Sequence, residues 1–294
     1  MPKIWLSLVI LLAICLLFSL NCDASEKRKK PQKQAILLVA FGTSVPEARK
    51  AFDAIQARAE TTFPGVEVRW AFTSKTIRSR SAAEGKPLDS PETALAKLMD
   101  DGCTHVAILS LHVIPGVEFH ELQRNVRLFE EMAGGFECVT VARPLLSSSR
   151  DLRRASEALI GRIPRERKPE DAVIFMGHGS EKHPSDAMYA AMHGILQDLD
   201  SNVHMATVDG YPSIEDILPK LEAKKVRKVW LMPFMTVAGV HAREDMAGDK
   251  PDSWRSILAG KGITCSPVLT GLAEYPEFVD IWLEHLKDAF PPHR

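Results

Sequence analysis

The chain has 294 residues, 45% of them hydrophobic and 26% charged, with a formal net charge of -1, which is the make-up of an ordinary globular protein. That length allows one large domain or two medium ones. The near-neutral balance, with no basic patch interleaved with aromatics, excludes an electrostatic case for nucleic acid as partner.

Residues 1–24 stand apart. They hold one lysine, an apolar run from Ile4 to Leu20 and the ending Cys22-Asp23-Ala24. This pattern predicts a secretory signal peptide cleaved after Ala24, and with it a periplasmic mature protein. An uncleaved membrane anchor is the alternative, because the run is long and the basic stretch EKRKK follows it. Residues 25–34 read as a basic leader. Beyond the cleavage point only Cys103, Cys138 and Cys265 remain, an odd and scattered set with no CxxC spacing. That is neither a disulfide framework nor a zinc site.

From residue 35 onward, short apolar runs alternate with longer amphipathic stretches. The strand candidates are AILLVAF (35–41), VEVRWAF (66–72), HVAILSLHV (105–113) and ECVTVA (137–142), then AVIFMG (172–177), VHMATV (203–208), KVWLMPFM (228–235) and ITCSPVL (263–269). Helical patterns lie between them. One has Ser90 as its N-cap, Pro91 at the first helical position and Gly102 as its stop. Strand and helix in this rhythm predict an α/β fold with mostly parallel sheets covered by helices.

The pattern also repeats. LLVAFGTS (37–44) parallels VIFMGHGS (173–180), and VAILSLHVIPGV (106–117) parallels VWLMPFMTVAGV (229–240) without a gap. We expect two similar Rossmann-like lobes, 35–150 and 151–294, with the site in the cleft between them. The halves differ where it matters. Gly42 stands where the second half has His178, and Glu118 where it has His241.

His178, Asp209 and His241 follow three strands of the second half, each about thirty residues from the next. Parallel strands bring such positions to one edge. Two imidazoles and a carboxylate would suit a divalent transition metal, or equally a proton-accepting set. Two of ten histidines at strand ends can also arise by chance. The small flanks Gly177 and Gly179 would let a flat ligand approach His178. His183 is expected to open the next helix, with an accessory role beside His178, and His193 to lie on that helix's surface.

Six stretches, FGTSVPEAR, AFTSKTIRSR, LSLHVIPGVEFHEL, MGHGSEKHPSDAMY, TVDGYPS and MPFMTVAGVHAREDMAGDKPDSW, run in order along nearly all of the mature chain. Together they resemble the anaerobic-type sirohydrochlorin cobaltochelatases, the CbiK family, which share the class II chelatase fold. The resemblance implies ATP-independent insertion of Co2+, in some members also Fe2+, into sirohydrochlorin, a step in cobalamin and sirohaem synthesis. It places the family's metal-binding and catalytic histidines at His178 and His241, and its active-site glutamate at Asp209. That shorter acid is a departure, and so is Val240, where many relatives carry an acidic residue.

Sirohydrochlorin is rich in carboxylates, so Lys75, Arg78 and Arg80 are candidate cations for it, a solvated charge run being the alternative. His120 is expected either as an exposed residue or as an axial ligand to haem. Competing functions are a periplasmic carrier of metal or haem built on the same fold, and a ferrochelatase acting on protoporphyrin. A homo-oligomer is expected, as for most soluble assemblies.

Overall fold

The eight strand signals form eight strands, in the order the sequence sets them. The computed structural model describes residues 32–180 and 183–290, so the expected signal peptide and most of the basic leader lie outside the described residues. Strands β1 (Gln34–Ala40), β2 (Glu67–Phe72), β3 (His105–Ser110) and β4 (Cys138–Val141) form one parallel sheet in the order β2-β1-β3-β4. Strands β5 (Ala172–Gly177), β6 (Val203–Thr207), β7 (Lys228–Pro233) and β8 (Thr264–Pro267) form a second in the order β6-β5-β7-β8. The two orders are the same, and the repeated segments occupy equivalent places: β1 with β5, β3 with β7.

Central strands buried on both faces read as unbroken apolar runs, which is why these strands do not alternate with polar residues. In β1 the residues Ile36 and Leu38 enter one core while Ala35, Leu37 and Val39 enter another. In β5, Val173 and Phe175 join the first of those cores, and Ile174 and Met176 a third. One apolar interior is therefore shared by both sheets, and the described residues from Lys33 onward form one compact unit.

The helices follow their sequence signals. Helix α1 spans Pro46–Thr62 and α2 spans Lys75–Ala83. In α3 (Pro91–Asp100) the Ser90 hydroxyl accepts the Thr93 N–H at 3.2 Å, and Gly102 stops the helix at φ +79°. Helices α4 (Val117–Glu131) and α5 (Ser149–Arg162) complete the first half. After them come α6 (Ala187–Leu199), α7 (Ile214–Ala223), α8 (Trp254–Gly260) and α9 (Pro276–Ala289).

Helix α9 follows the second sheet in sequence but packs on the first half. Its Phe278 and Trp282 are buried in the shared core. The Ala289 carbonyl accepts from Thr140 Oγ1 at 2.6 Å, and Glu284 takes two bonds from Arg154, at 2.6 and 2.9 Å. His285 is buried against Asp151, with Nε2 3.4 Å from Oδ1. Cys103 is buried, and Cys138 and Cys265 are partly buried.

A pair of histidines, one half-buried and one buried, has a consequence for stability. His193 of α6 is not a plain surface residue: its Nδ1 accepts the Met205 N–H at 3.1 Å, and its ring lies 5.7 Å from that of fully buried His204. Burial holds His204 down to about 3 and His193 down to about 4. The unfolded chain, with histidines near 6.5, takes up protons first as the pH falls, so these residues withdraw stability on acidification. The melting temperature should therefore drop between pH 6.5 and 4, and His204→Met should flatten that drop. An unchanged slope in thermal scans of the variant would refute the assignment.

Candidate active site

The carboxyl ends of both sheets open onto one cavity of about 740 Å³, lined from the first half by Gly42, His112 and Glu118 and from the second by His178, Asp209 and His241. Doubly covered parallel sheets place ligands at this edge. The volume falls in the range of small-molecule sites, roughly 300–1,000 Å³.

His178 follows β5 directly. Its two glycines, expected to leave room for a flat ligand, instead leave room for the protein itself. A Cβ on Gly177 would stand 2.5 Å from the Tyr189 ring. Gly179 has φ +81°, and a Cβ there would stand 2.7 Å from Thr207 Cβ. The Tyr189 ring is buried and packs directly beneath this turn. His178 is therefore the exposed tip of a turn seated on α6 and on the end of β6.

His241 reaches the same place from the far side of β5's neighbour. It follows the loop after β7 and starts a π-helical turn, Ala242–Met246. The two rings meet edge to face, centroids 4.7 Å apart at 86°. Their protons can be assigned from their partners. His178 Nδ1 lies 3.0 Å from the Gly179 carbonyl, and His241 Nδ1 lies 2.6 Å from Asp245 Oδ2. Carbonyl and carboxylate oxygens only accept, so each Nδ1 carries the proton and donates it. In the neutral ring each Nε2 then keeps its lone pair. A carboxylate on the distal nitrogen is the usual second partner of a metal-binding histidine, fixing the tautomer and raising ligand basicity.

Asp209 lines the cavity and is tied to the His178 turn, its N–H donating to the His178 carbonyl at 2.9 Å. Yet among the described residues no three His, Cys, Asp or Glu side chains are grouped to hold a metal ion. The expected three-ligand set of His178, Asp209 and His241 is thus an imidazole pair with a carboxylate on the same cavity wall. The loop after β6 closes on itself, with the Thr207 N–H and Oγ1 both donating to the Pro212 carbonyl, at 2.7 and 3.0 Å. That closure places Asp209 by its backbone.

Of the three candidate cations, Arg80 lines the cavity. Arg78 is used within the fold, its Nη1 donating to the Phe72 and Thr73 carbonyls at 2.6 and 2.7 Å, and Lys75 lies outside the cavity lining at the start of α2. His120 is exposed on α4, outside the lining, with Nδ1 donating to the Gly116 carbonyl at 3.0 Å and its ring 5.1 Å from that of His183. His183 caps a short 3-10 turn (Pro184–Asp186), its Nδ1 accepting the Ser185 N–H at 3.2 Å.

Three contributors went unread in the sequence. Asp245 was legible in principle, since a carboxylate four residues after a histidine shares its face in a helical turn. Tyr189 reads as core, and it is core, but it also supports His178. His112, at the end of β3, lies 2.8 Å from Ser110 Oγ, and burial holds it near 4, so it faces the cavity uncharged at neutral pH.

Removing the Asp245 carboxylate should loosen metal binding without unfolding the protein, because the residue lies at the surface. Asp245→Ala is expected to weaken Co2+ binding by about 10- to 100-fold. Titration of the visible Co2+ bands would check this, and wild-type affinity would refute the role.

The chain matches the cobalt chelatase (CbiK) family over residues 34–291. It is 45% identical over 271 residues to the sirohydrochlorin cobaltochelatase CbiKC of Nitratidesulfovibrio vulgaris, covering 92% of this chain and 95% of that one. It is 36% identical over 259 residues to the sirohydrochlorin cobaltochelatase of Salmonella typhimurium, covering 87% and 96%. Among solved structures, the sirohydrochlorin chelatase SirB of Bacillus subtilis in complex with cobalt superposes with a TM-score of 0.56 at 14% identity, covering 87% of this chain and 95% of that one. CbiX, described as the terminal enzyme of sirohaem biosynthesis in denitrifying bacteria, gives 0.55 at 18% identity, covering 87% and 100%. These two likenesses speak for the fold, two like parallel-sheet lobes around a cleft. The match over almost every described residue, both strand-end histidines included, makes this chain a member of the cobalt chelatase (CbiK) family.

Proposed function

We propose that this protein inserts Co2+ into sirohydrochlorin without ATP, releasing two protons for each metal, with Fe2+ as a second metal it accepts. The observation that carries this is the imidazole pair: two rings 4.7 Å apart whose Nδ1 atoms are both committed as donors, leaving two Nε2 lone pairs at one cavity. A cation of the imidazole-binding kind suits that pair. With few protein ligands, its remaining coordination positions are open to the macrocycle nitrogens.

The same assignment separates two tasks. While both Nε2 lone pairs hold the metal, neither imidazole can take a pyrrole proton. Acceptors must come from other groups on the cavity wall, and the carboxylates of Asp209 and Glu118 are there. Asp245, hydrogen-bonded to His241, offsets charge on the metal-bearing side. Arg80 offers a fork for a substrate carboxylate.

The deciding experiment incubates the purified protein with sirohydrochlorin and Co2+ or Fe2+ and follows the absorption spectrum. Conversion to the metallated chromophore supports the reading. Stoichiometric metal binding with no spectral conversion would favour the carrier reading instead.

Export follows from the first 24 residues, whose apolar run and small-residue ending support cleavage after Ala24 and a periplasmic location. N-terminal sequencing of the mature protein tests it. Haem at His120 is supported by that residue's exposure and by its Nδ1 donation to Gly116, which leaves Nε2 pointing outward for a ligand in the neutral ring. A Soret band lost in His120→Ala is the expected signature.

A further inference from the structure

Asp186 stands at the N-terminus of α6, where an aspartate ordinarily accepts hydrogen bonds from the first N–H groups of its own helix. Its side chain makes no such cap. Instead Oδ2 accepts the backbone N–H of Ser180 at 2.9 Å and lies against Gly210, the residue between Asp209 and Tyr211. Ser180 lies two residues after His178, and Tyr211 two residues after Asp209. One carboxylate therefore joins the loop leaving β5 to the loop leaving β6.

The fit around that carboxylate is close. A Cβ on Gly210 would stand 1.9 Å from Oδ2, so a side chain there would push the carboxylate away from the loop. The other oxygen, Oδ1, is shielded and has no hydrogen-bond partner. Burial raises the carboxyl's pKa, and the Ser180 and Tyr211 backbones, with His183 and His178, pull it back. A helix cap would need none of this, and an acid left half-satisfied against two loops calls for a reason.

We infer that Asp186 is a positioning residue for metal insertion, holding the His178 imidazole and the Asp209 carboxylate at one cavity wall. It touches neither metal nor macrocycle and acts through the two loops. The inference rests on the chelatase reading for its consequence in turnover, but not for its consequence in metal binding. Supporting groups one step from the ligands typically change metal affinity or activity by about 10- to 100-fold.

The test uses the whole protein with Asp186→Ala, Asp186→Asn and Gly210→Ala, each checked for folding by its thermal transition. Asp186→Ala should lower kcat for Co2+ insertion by about 10- to 100-fold, leave KM for sirohydrochlorin within about threefold, and weaken Co2+ binding in step. Asp186→Asn keeps an amide oxygen for the Ser180 N–H and should recover to within about threefold of wild type. Gly210→Ala, which crowds the carboxylate without removing it, should resemble the alanine variant and decides the matter if that variant does not fold. Wild-type kcat and Co2+ affinity in Asp186→Ala, or equal losses in the alanine and asparagine variants, would overturn the inference. A wild-type protein that binds Co2+ but inserts none would sink the chelatase reading, and the Co2+ affinities of the variants would still decide the role of Asp186.

Discussion

His178→Ala and His241→Ala should each reduce Co2+ insertion to about one-hundredth of the wild-type rate or less, with little change in melting temperature. The magnitude follows from comparison with a weaker perturbation. Loss of a group that only supports a metal-binding histidine costs about 10- to 100-fold, so loss of the imidazole itself should reach or exceed the upper end. The unchanged stability follows from placement. His178 is exposed at the tip of its turn and His241 is half-exposed at the start of a π-helical turn, and substitutions at such positions usually stay within about 0.5 kcal/mol. The turn itself is held by Tyr189 beneath it and by the Asp209 N–H, neither of which needs the imidazole. Spectroscopic turnover assays beside thermal scans would check both halves. A variant turning over at the wild-type rate would remove that histidine from the chemistry.

Gly179→Ala should damage the same site from the backbone. The residue has φ +81°, a conformation in which a side chain costs about 1–2 kcal/mol, and its Cβ would stand 2.7 Å from Thr207 Cβ and 3.0 Å from the Asp209 carbonyl carbon. Overpacking of that kind adds about 1–3 kcal/mol. The two together predict a loss of about 2–5 kcal/mol, or roughly 10 °C in melting temperature. Activity should fall by more than tenfold as well, because the turn can relieve the clash only by moving His178 away from its partner. Retained wild-type stability would show that the turn is softer than its contacts imply.

The same two positions mark how far the sequence could be read. His178 and His241 were legible because the chain contains its own control: the first half has the same strands and turns with Gly42 and Glu118 in their places. Both pairs line the cavity, so the repeat and the difference between the halves point to one place in the fold. Strand order was legible for a related reason, since like apolar runs in like order form like sheets. Asp209 was legible as a position but not as a ligand. Whether a carboxylate reaches a metal depends on the closure of its loop onto Pro212, a contact that spacing does not encode.

The candidate cations show the limit from the other side. Arg78 and Arg80 are two residues apart in one charged segment, and nothing in that segment distinguishes them. One ends up bonded to the carbonyls at the end of β2 and the other faces the cavity. Helical geometry separates them, together with the accident of which carbonyls lie within reach.

By itself, the sequence determined two like parallel α/β halves, a cleft at their strand ends, and two histidines unique to the second half. Those follow from periodicity and repetition, which are local properties of a chain. Only the tertiary structure decided which nitrogen of each imidazole is free, that glycines around His178 make room for Tyr189 and Thr207, and that Asp186 leaves its own helix to hold two loops. These depend on contacts between segments far apart in sequence, where a few tenths of an ångström decide whether a hydrogen bond or a clash results.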